Sequence, residues 1–134
     1  MCLTLALTGA TGSGYGVALL KRLVAREDVT GVDLLLTPMG RRCLQEECGV
    51  SEADLAALHA KIHLQREADL GAAISSGSHL QEGMVILPCS AGTLGRIASG
   101  TSETLVARAA DVCLKERRTL ILCVRETPLN RIHL

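Results

Sequence analysis

Residues 108–128, RAADVCLKERRTLILCVRETP, hold the charged groups best spaced for chemistry in this chain. Arg108 and Lys115 are seven residues apart, close to two helical turns, so a helix here presents both from one face. After Arg117 and Arg118 comes TLILCV, a short apolar run of the kind buried in parallel sheets. It ends at Arg125-Glu126-Thr127-Pro128. Charges directly after a parallel strand fall where open α/β sheets bind their ligands. Arg108, Lys115 and Arg125 converging with Glu126 would suit an anionic, phosphorylated substrate and one acid/base step.

A plainer reading competes for part of this segment. Lys115 through Arg118 also fits a solvated helix end whose cations complement the helix dipole. Arg125 and Glu126 are harder to assign that way, because they follow a buried strand.

The elements that must position these groups alternate. Residues 3–8 read as a first strand, followed by GATGSGYG (9–16) and a helix to about Ala25. Residues 32–36 (VDLLL) form a second strand, and Pro38 opens a helix carrying Arg41, Arg42 and Cys43. Ser51 with Asp54 marks the N-terminus of a short helix over 52–58. Residues 62–64 give a brief strand, and a small-residue loop (72–78, AAISSGS) precedes the inner strand 84–87. PCSAGTLGRIASG (88–100) follows, then a helix from about Ser102 to Lys115 and a strand over 120–124. This alternation predicts one α/β domain over residues 1–134: a doubly wound, Rossmann- or flavodoxin-like parallel sheet with helices on both faces.

A strand running through a glycine loop into a helix is a candidate phosphate or nucleotide site, since the helix N-terminus offers free N–H groups. No Gly-Lys-Ser/Thr closes the loop, so it is not a P-loop. A dinucleotide fingerprint expects an acid after the second strand, where this chain has Thr37-Pro38. Hydroxyls recur instead at the predicted strand ends: Thr8 and Thr11, Thr37, Ser75 to Ser78, and Ser90. Such neutral donors suit a terminal phosphate monoester, as in FMN, although glycine and serine also simply form turns.

Composition excludes several other classes. Fourteen basic and fourteen acidic residues cancel, so nucleic acid and anionic membranes gain no general attraction. With no Trp, no Phe and one Tyr there is no base-stacking surface, and the core must be aliphatic. Six cysteines are scattered without a C-x-x-C pair or zinc spacing, which predicts reduced thiols, no metal and a cytoplasmic setting. Cys113 and Cys123 fall on predicted apolar faces. No basic leader precedes the first strand, and no apolar run approaches membrane-spanning length.

The motifs TGATGSGYG, ISSGS, MVILPCSAGTL, RAADVCLKERR and LCVRETPLNRIHL together resemble the UbiX-type flavin prenyltransferases, within the homo-oligomeric flavin-containing decarboxylase-like flavoproteins. The resemblance runs from end to end of the chain. It implies an FMN-binding fold and metal-free transfer of a dimethylallyl group from dimethylallyl phosphate to reduced FMN. The prenylated FMN would serve a UbiD-type decarboxylase. By position, Gly9, Ala10, Thr11, Gly12, Thr37, Ser90, Thr93 and Arg125 would contact FMN, with Ser76 and Ser78 lining the site. Arg108, Lys115 and Arg125 would hold the substrate phosphate, and Glu126 would manage the proton that lets phosphate depart. A homo-oligomer is implied, with the flavin near a subunit interface. So is a further helix-strand-helix after Leu134, with a tyrosine and an arginine that complete the substrate site.

Two other functions stay open on the residues. FMN-dependent cysteine decarboxylases of the same wider group resemble one another in an H-I-x-L histidine motif, where this chain has Lys61-Ile62-His63-Leu64. His63 is displaced by two residues and reads as a surface or subunit-contact residue. PCSAGT also stands where those enzymes favour P-A-S-A-N-T. The second alternative is a non-catalytic FMN-binding subunit.

Overall fold

The computed structural model describes residues 1–65, 81–101 and 103–125. Strand β1 is Cys2–Leu7, followed by helix α1, Ser13–Val24. Strand β2, Gly31–Leu36, leads into α2, Pro38–Cys48, and the short α3, Glu52–Ala56. Strand β3 is Ile62–Gln65 and β4 is Gly83–Cys89. Helices α4, Ala91–Ala98, and α5, Leu105–Lys115, precede β5, Thr119–Val124.

Each helix start has a local cause. Thr37 caps α2 by accepting the Gly40 N–H at 3.0 Å, and Pro38 supplies a first-turn residue that needs no N–H partner. Ser51 and Asp54 form a reciprocal capping box on α3. Ser90 accepts the Thr93 N–H on α4, and Thr104 accepts the Ala107 N–H on α5, both at 3.2 Å. Helix α1 begins at Gly12, which has no side chain to cap it.

The five strands are parallel in the order β3-β2-β1-β4-β5. Alternation along the strands divides the core in two. Leu5, Leu7, Val32, Leu34 and Leu36 pack with Leu20, Leu44 and Leu55 beneath α1, α2 and α3. Ala6, Leu35, Met84 and Ile86 pack with Leu105, Val106, Ala109, Ala110 and Cys113 beneath α4 and α5. All six residues of β2 are buried, as a strand covered on both faces requires. The doubly wound α/β reading therefore holds.

Several expectations need correction. Residues 88–100, given no element from the sequence, contain a helix: α4 occupies Ala91–Ala98, because Ser90 caps it and Leu94 and Ile97 give it an apolar face. Helix α5 starts at Leu105, set by the Thr104 cap, rather than near Ser102. Strand β5, expected to be buried, is partly exposed. Among the described residues it pairs only with β4, and Ile121 and Val124 are 49% and 43% exposed. Its uninterrupted apolar sequence cannot by itself distinguish an edge from a centre. No described helix is long and apolar enough to cross a membrane.

Candidate functional site

The chain moves outward from β1 through β2 to β3, then returns to place β4 on the other side of β1. The carboxyl ends of β1 and β4 thus flank the point where open α/β sheets bind ligands. Thr8 ties these ends together: its hydroxyl donates to the Pro88 carbonyl at 2.7 Å and accepts the Ser90 N–H at 2.8 Å.

Beside that junction lies a cleft of about 340 Å³ lined by Gly9, Thr37, Pro38, Met39, Ser90, Thr93, Arg96, Thr104 and Ala107. The N-caps of three helices, Thr37 of α2, Ser90 of α4 and Thr104 of α5, face it together. Three positive helix ends meet there, and none of the lining residues is acidic. Close backbone approach makes the cleft possible. A Cβ on Gly40 would collide with the Leu7 carbonyl, and one on Gly9 with the Cβ of Met39. Only glycine at both positions lets α2 seat its first turn against the end of β1.

The hydroxyls have divided duties. Thr37 accepts the Gly40 N–H, which leaves its own O–H to donate into the cleft. Ser90 accepts the Thr93 N–H and donates to the Thr93 hydroxyl at 2.9 Å, so Thr93 presents the next free O–H. Two hydroxyl donors and three helix ends fit a phosphate monoester without a metal. Among the described residues no group of His, Cys, Asp and Glu could hold a metal ion.

Of the residues singled out from sequence, Gly9, Thr37, Ser90 and Thr93 line this cleft. Ala10 donates its N–H to the Thr8 carbonyl at 2.9 Å. Thr11 and Gly12 instead line a second, open cavity of about 520 Å³ with Tyr15, Ala18, Glu47 and Cys48. There the Glu47 carboxylate accepts the Gly12 N–H at 2.9 Å and the Ser13 hydroxyl at 3.2 Å. The bare start of α1 is capped by a side chain from α2.

The cations do not all converge. Arg125 lies at the carboxyl end of the sheet, its N–H donating to the Cys89 carbonyl at 3.1 Å. Arg108 is half-buried one residue beyond Ala107, and its Nε is buried with no hydrogen-bond partner among the described residues. Lys115 ends α5, just before β5 begins, at the opposite end of the sheet. A crossover helix runs antiparallel to its strands, so Arg108 and Lys115 share a face yet stand roughly 10 Å apart along the axis. Ser76, Ser78 and Glu126 lie outside the described residues. His63 is exposed on β3, far along the sheet from the cleft.

Sequence reasoning missed Arg96, Met39 and Thr104 as lining residues. Arg96 was obscured because no helix was assigned within 88–100; as part of a helix capped by Ser90 it lines the cleft. Cys89, beneath the rim, is fully buried. Burial, then the neighbouring Cys123 thiol, push its pKa up to about 11, so it is a neutral packing group and no nucleophile at neutral pH.

A doubly wound sheet with an acid-free, hydroxyl-lined cleft at its switch point defines a phosphate-ligand-binding α/β protein. More narrowly, the chain belongs to the Flavoprotein family, whose model matches residues 1–134. It is 49% identical over 136 aligned residues to a probable UbiX-like flavin prenyltransferase of Streptomyces sp. (strain D7), covering 100% of this chain and 66% of that one. The chain thus spans about two thirds of that relative's length. A solved dodecameric FMN-dependent UbiX-like decarboxylase from Escherichia coli O157:H7 superposes with a TM-score of 0.92 at 44% identity, over 99% of this chain and 70% of that one. AnUbiX (PadA1), solved in complex with FMN and dimethylallyl pyrophosphate, gives 0.89 at 38% identity, over 98% and 68%. Solved cysteine decarboxylases at 20% and 19% identity share the fold alone.

Proposed function

We propose that this chain is the FMN-binding portion of a flavin prenyltransferase that transfers a dimethylallyl group from dimethylallyl phosphate to reduced FMN. The observation that carries this reading is the meeting of three capped helix N-termini on one acid-free cleft at the switch point. Gly9, Thr37, Ser90 and Thr93 would hold the flavin phosphate. Reduced FMN would supply the nucleophile. Loss of an allylic phosphate builds negative charge on the leaving group, and fixed guanidinium groups stabilise it without reorganising. Arg108, whose Nε has no hydrogen-bond partner among the described residues, and Arg125, at the carboxyl end of the sheet, are assigned that task in this reading. Glu126, outside the described residues, is assigned the proton on the departing phosphate by resemblance.

Lys115 stands too far along α5 to join them within one protomer. Its part in this reading is played toward a second copy, in line with a homo-oligomer and with the dodecameric relative. A cytoplasmic setting and a UbiD-type decarboxylase as recipient of prenylated FMN belong to the same reading. The decarboxylase alternative has less support: His63 is remote from the cleft, and the solved cysteine decarboxylases cited share only the fold.

The test is FMN titration of the 134-residue chain, then anaerobic incubation with reduced FMN and dimethylallyl phosphate and mass analysis of the flavin. Prenylated flavin is the expected product. Stoichiometric FMN binding without product would instead identify a flavin-binding module. No flavin binding would sink the reading.

A further inference from the structure

The three cations singled out from sequence are not among the residues lining the cleft; the cation that lines it is Arg96. Arg96 lies in the last turn of α4, six residues after the Ser90 cap. Long helical side chains lean toward the helix N-terminus. Arg96 does so: a Cβ placed on Gly92 would lie 3.7 Å from its Nη1, so the guanidinium folds back over the first turn of α4. That brings it toward Ser90 and Thr93. Arg26, Arg41 and Arg42 each sit on a carboxylate of their own. Arg96 has no acidic partner among the described residues, and the cleft it lines holds no acid.

A phosphate monoester carries roughly −1.5 to −2 charges at neutral pH. Three helix ends at about half a charge each, screened by solvent at the cleft mouth, leave it short of neutrality. A guanidinium can close that gap with charge-assisted hydrogen bonds that Thr37 and Thr93, as neutral donors, cannot match.

We infer that Arg96 is the phosphate-reading cation of the cleft, contacting a phosphate monoester held between the N-termini of α2 and α4. This rests on the flavin reading above and deepens it. The phosphate is either that of FMN or that of the prenyl donor, and both present the same dianionic group to the guanidinium.

The experiment titrates the parent chain, Arg96→Gln and Arg96→Lys with FMN and with riboflavin, which lacks the phosphate. The FMN-loaded proteins are then titrated with dimethylallyl phosphate. Arg96 is exposed on its helix, so neither substitution threatens the fold. If Arg96 reads the FMN phosphate, Arg96→Gln weakens FMN about ten- to a hundredfold, leaves riboflavin within about twofold, and Arg96→Lys recovers part of the loss. If it reads the donor, FMN is unchanged and dimethylallyl phosphate weakens by a similar factor. Unchanged binding of both phosphates, or equal losses of FMN and riboflavin, overturns the assignment while leaving the flavin reading intact. A parent chain that binds neither flavin overturns both.

Discussion

The cleft at the β1/β4 junction and the start of α1 use similar parts to opposite ends. Each has a helix N-terminus, a glycine at close quarters and a hydroxyl within reach. At α1 the positive end is already occupied, because Glu47 takes the Gly12 N–H and the Ser13 hydroxyl. At the cleft, Thr37, Ser90 and Thr104 cap their helices with neutral oxygens, and the field of those helix ends stays open to an external anion. The glycine-rich loop therefore serves this site mainly through Gly9, which lets α2 approach. Its helix end is used internally. Which side chain caps a helix decides whether that end is a structural joint or a binding site.

The severest test of this contrast is Gly40→Ala. The new methyl group meets the Leu7 carbonyl, a backbone atom that cannot rotate away, so the first turn of α2 must lift from β1. We expect a loss of about 3 kcal/mol in urea unfolding. FMN binding should fall with it, because Thr37 and Met39 move with that turn. An unchanged midpoint would mean that α2 is not seated as described.

Thr37→Val separates the two duties of a cleft hydroxyl. Removing the cap should cost about 1 kcal/mol of stability, and removing the donor should weaken FMN about tenfold. Thr37→Ser should restore both. A valine variant with full affinity would remove Thr37 from the site. Glu47→Gln probes the opposite region: loss of the carboxylate should cost about 1 kcal/mol and leave FMN affinity within about threefold. A tenfold change in FMN affinity would place the α1 end within the anion site and collapse the comparison.

The split between what could and could not be read from sequence follows the same physics. Strand and helix alternation was legible because β1, β2 and β4 are apolar runs bounded by Gly, Pro and Thr. Thr37 and Ser90 could be picked out as lining residues because a hydroxyl directly after a strand is both a cap and a donor, whereas Thr93, inside α4, came only from the family resemblance. Helix α4 was hidden by its glycines, Gly92 and Gly95, which read as turn, and Arg96 was hidden with it. The exposure of β5 was hidden because Ile121 would be equally apolar in a central strand. The spacing of Arg108 and Lys115 gave their common face correctly but not their separation, since a face runs the whole length of a helix. Glu47 reaches Gly12 across 35 positions, and no local pattern signals such a contact.

The two regions also differ in what lies behind them, and pH should expose this. The α1 end is closed by an exposed carboxylate, whereas the cleft rim backs onto Cys89, a fully buried thiol. Burial first, and Cys123 second, push Cys89 from the ordinary 9.0 up to about 11. In the unfolded chain this thiol loses its proton near 9.0, while in the folded chain it keeps it. Between about pH 9 and 11 the unfolded state therefore binds fewer protons, and stability must fall as pH rises. Below 9 the contribution is present in full, and acidification adds nothing through this group. Cys113, also raised chiefly by burial, adds to the same slope. Cys89→Ala should lower stability by a constant of about 1 kcal/mol for the lost sulfur packing and flatten the decline at alkaline pH. The check is urea unfolding of parent and variant at about pH 8 and about pH 10.5. By about pH 10.5 the linked loss in the parent, about 2 kcal/mol, exceeds the packing loss, so the gap should close and change sign, and that outcome supports a dry, neutral backing to the rim. A gap that stays constant means that water reaches Cys89, and the rim would then be no drier than the α1 end.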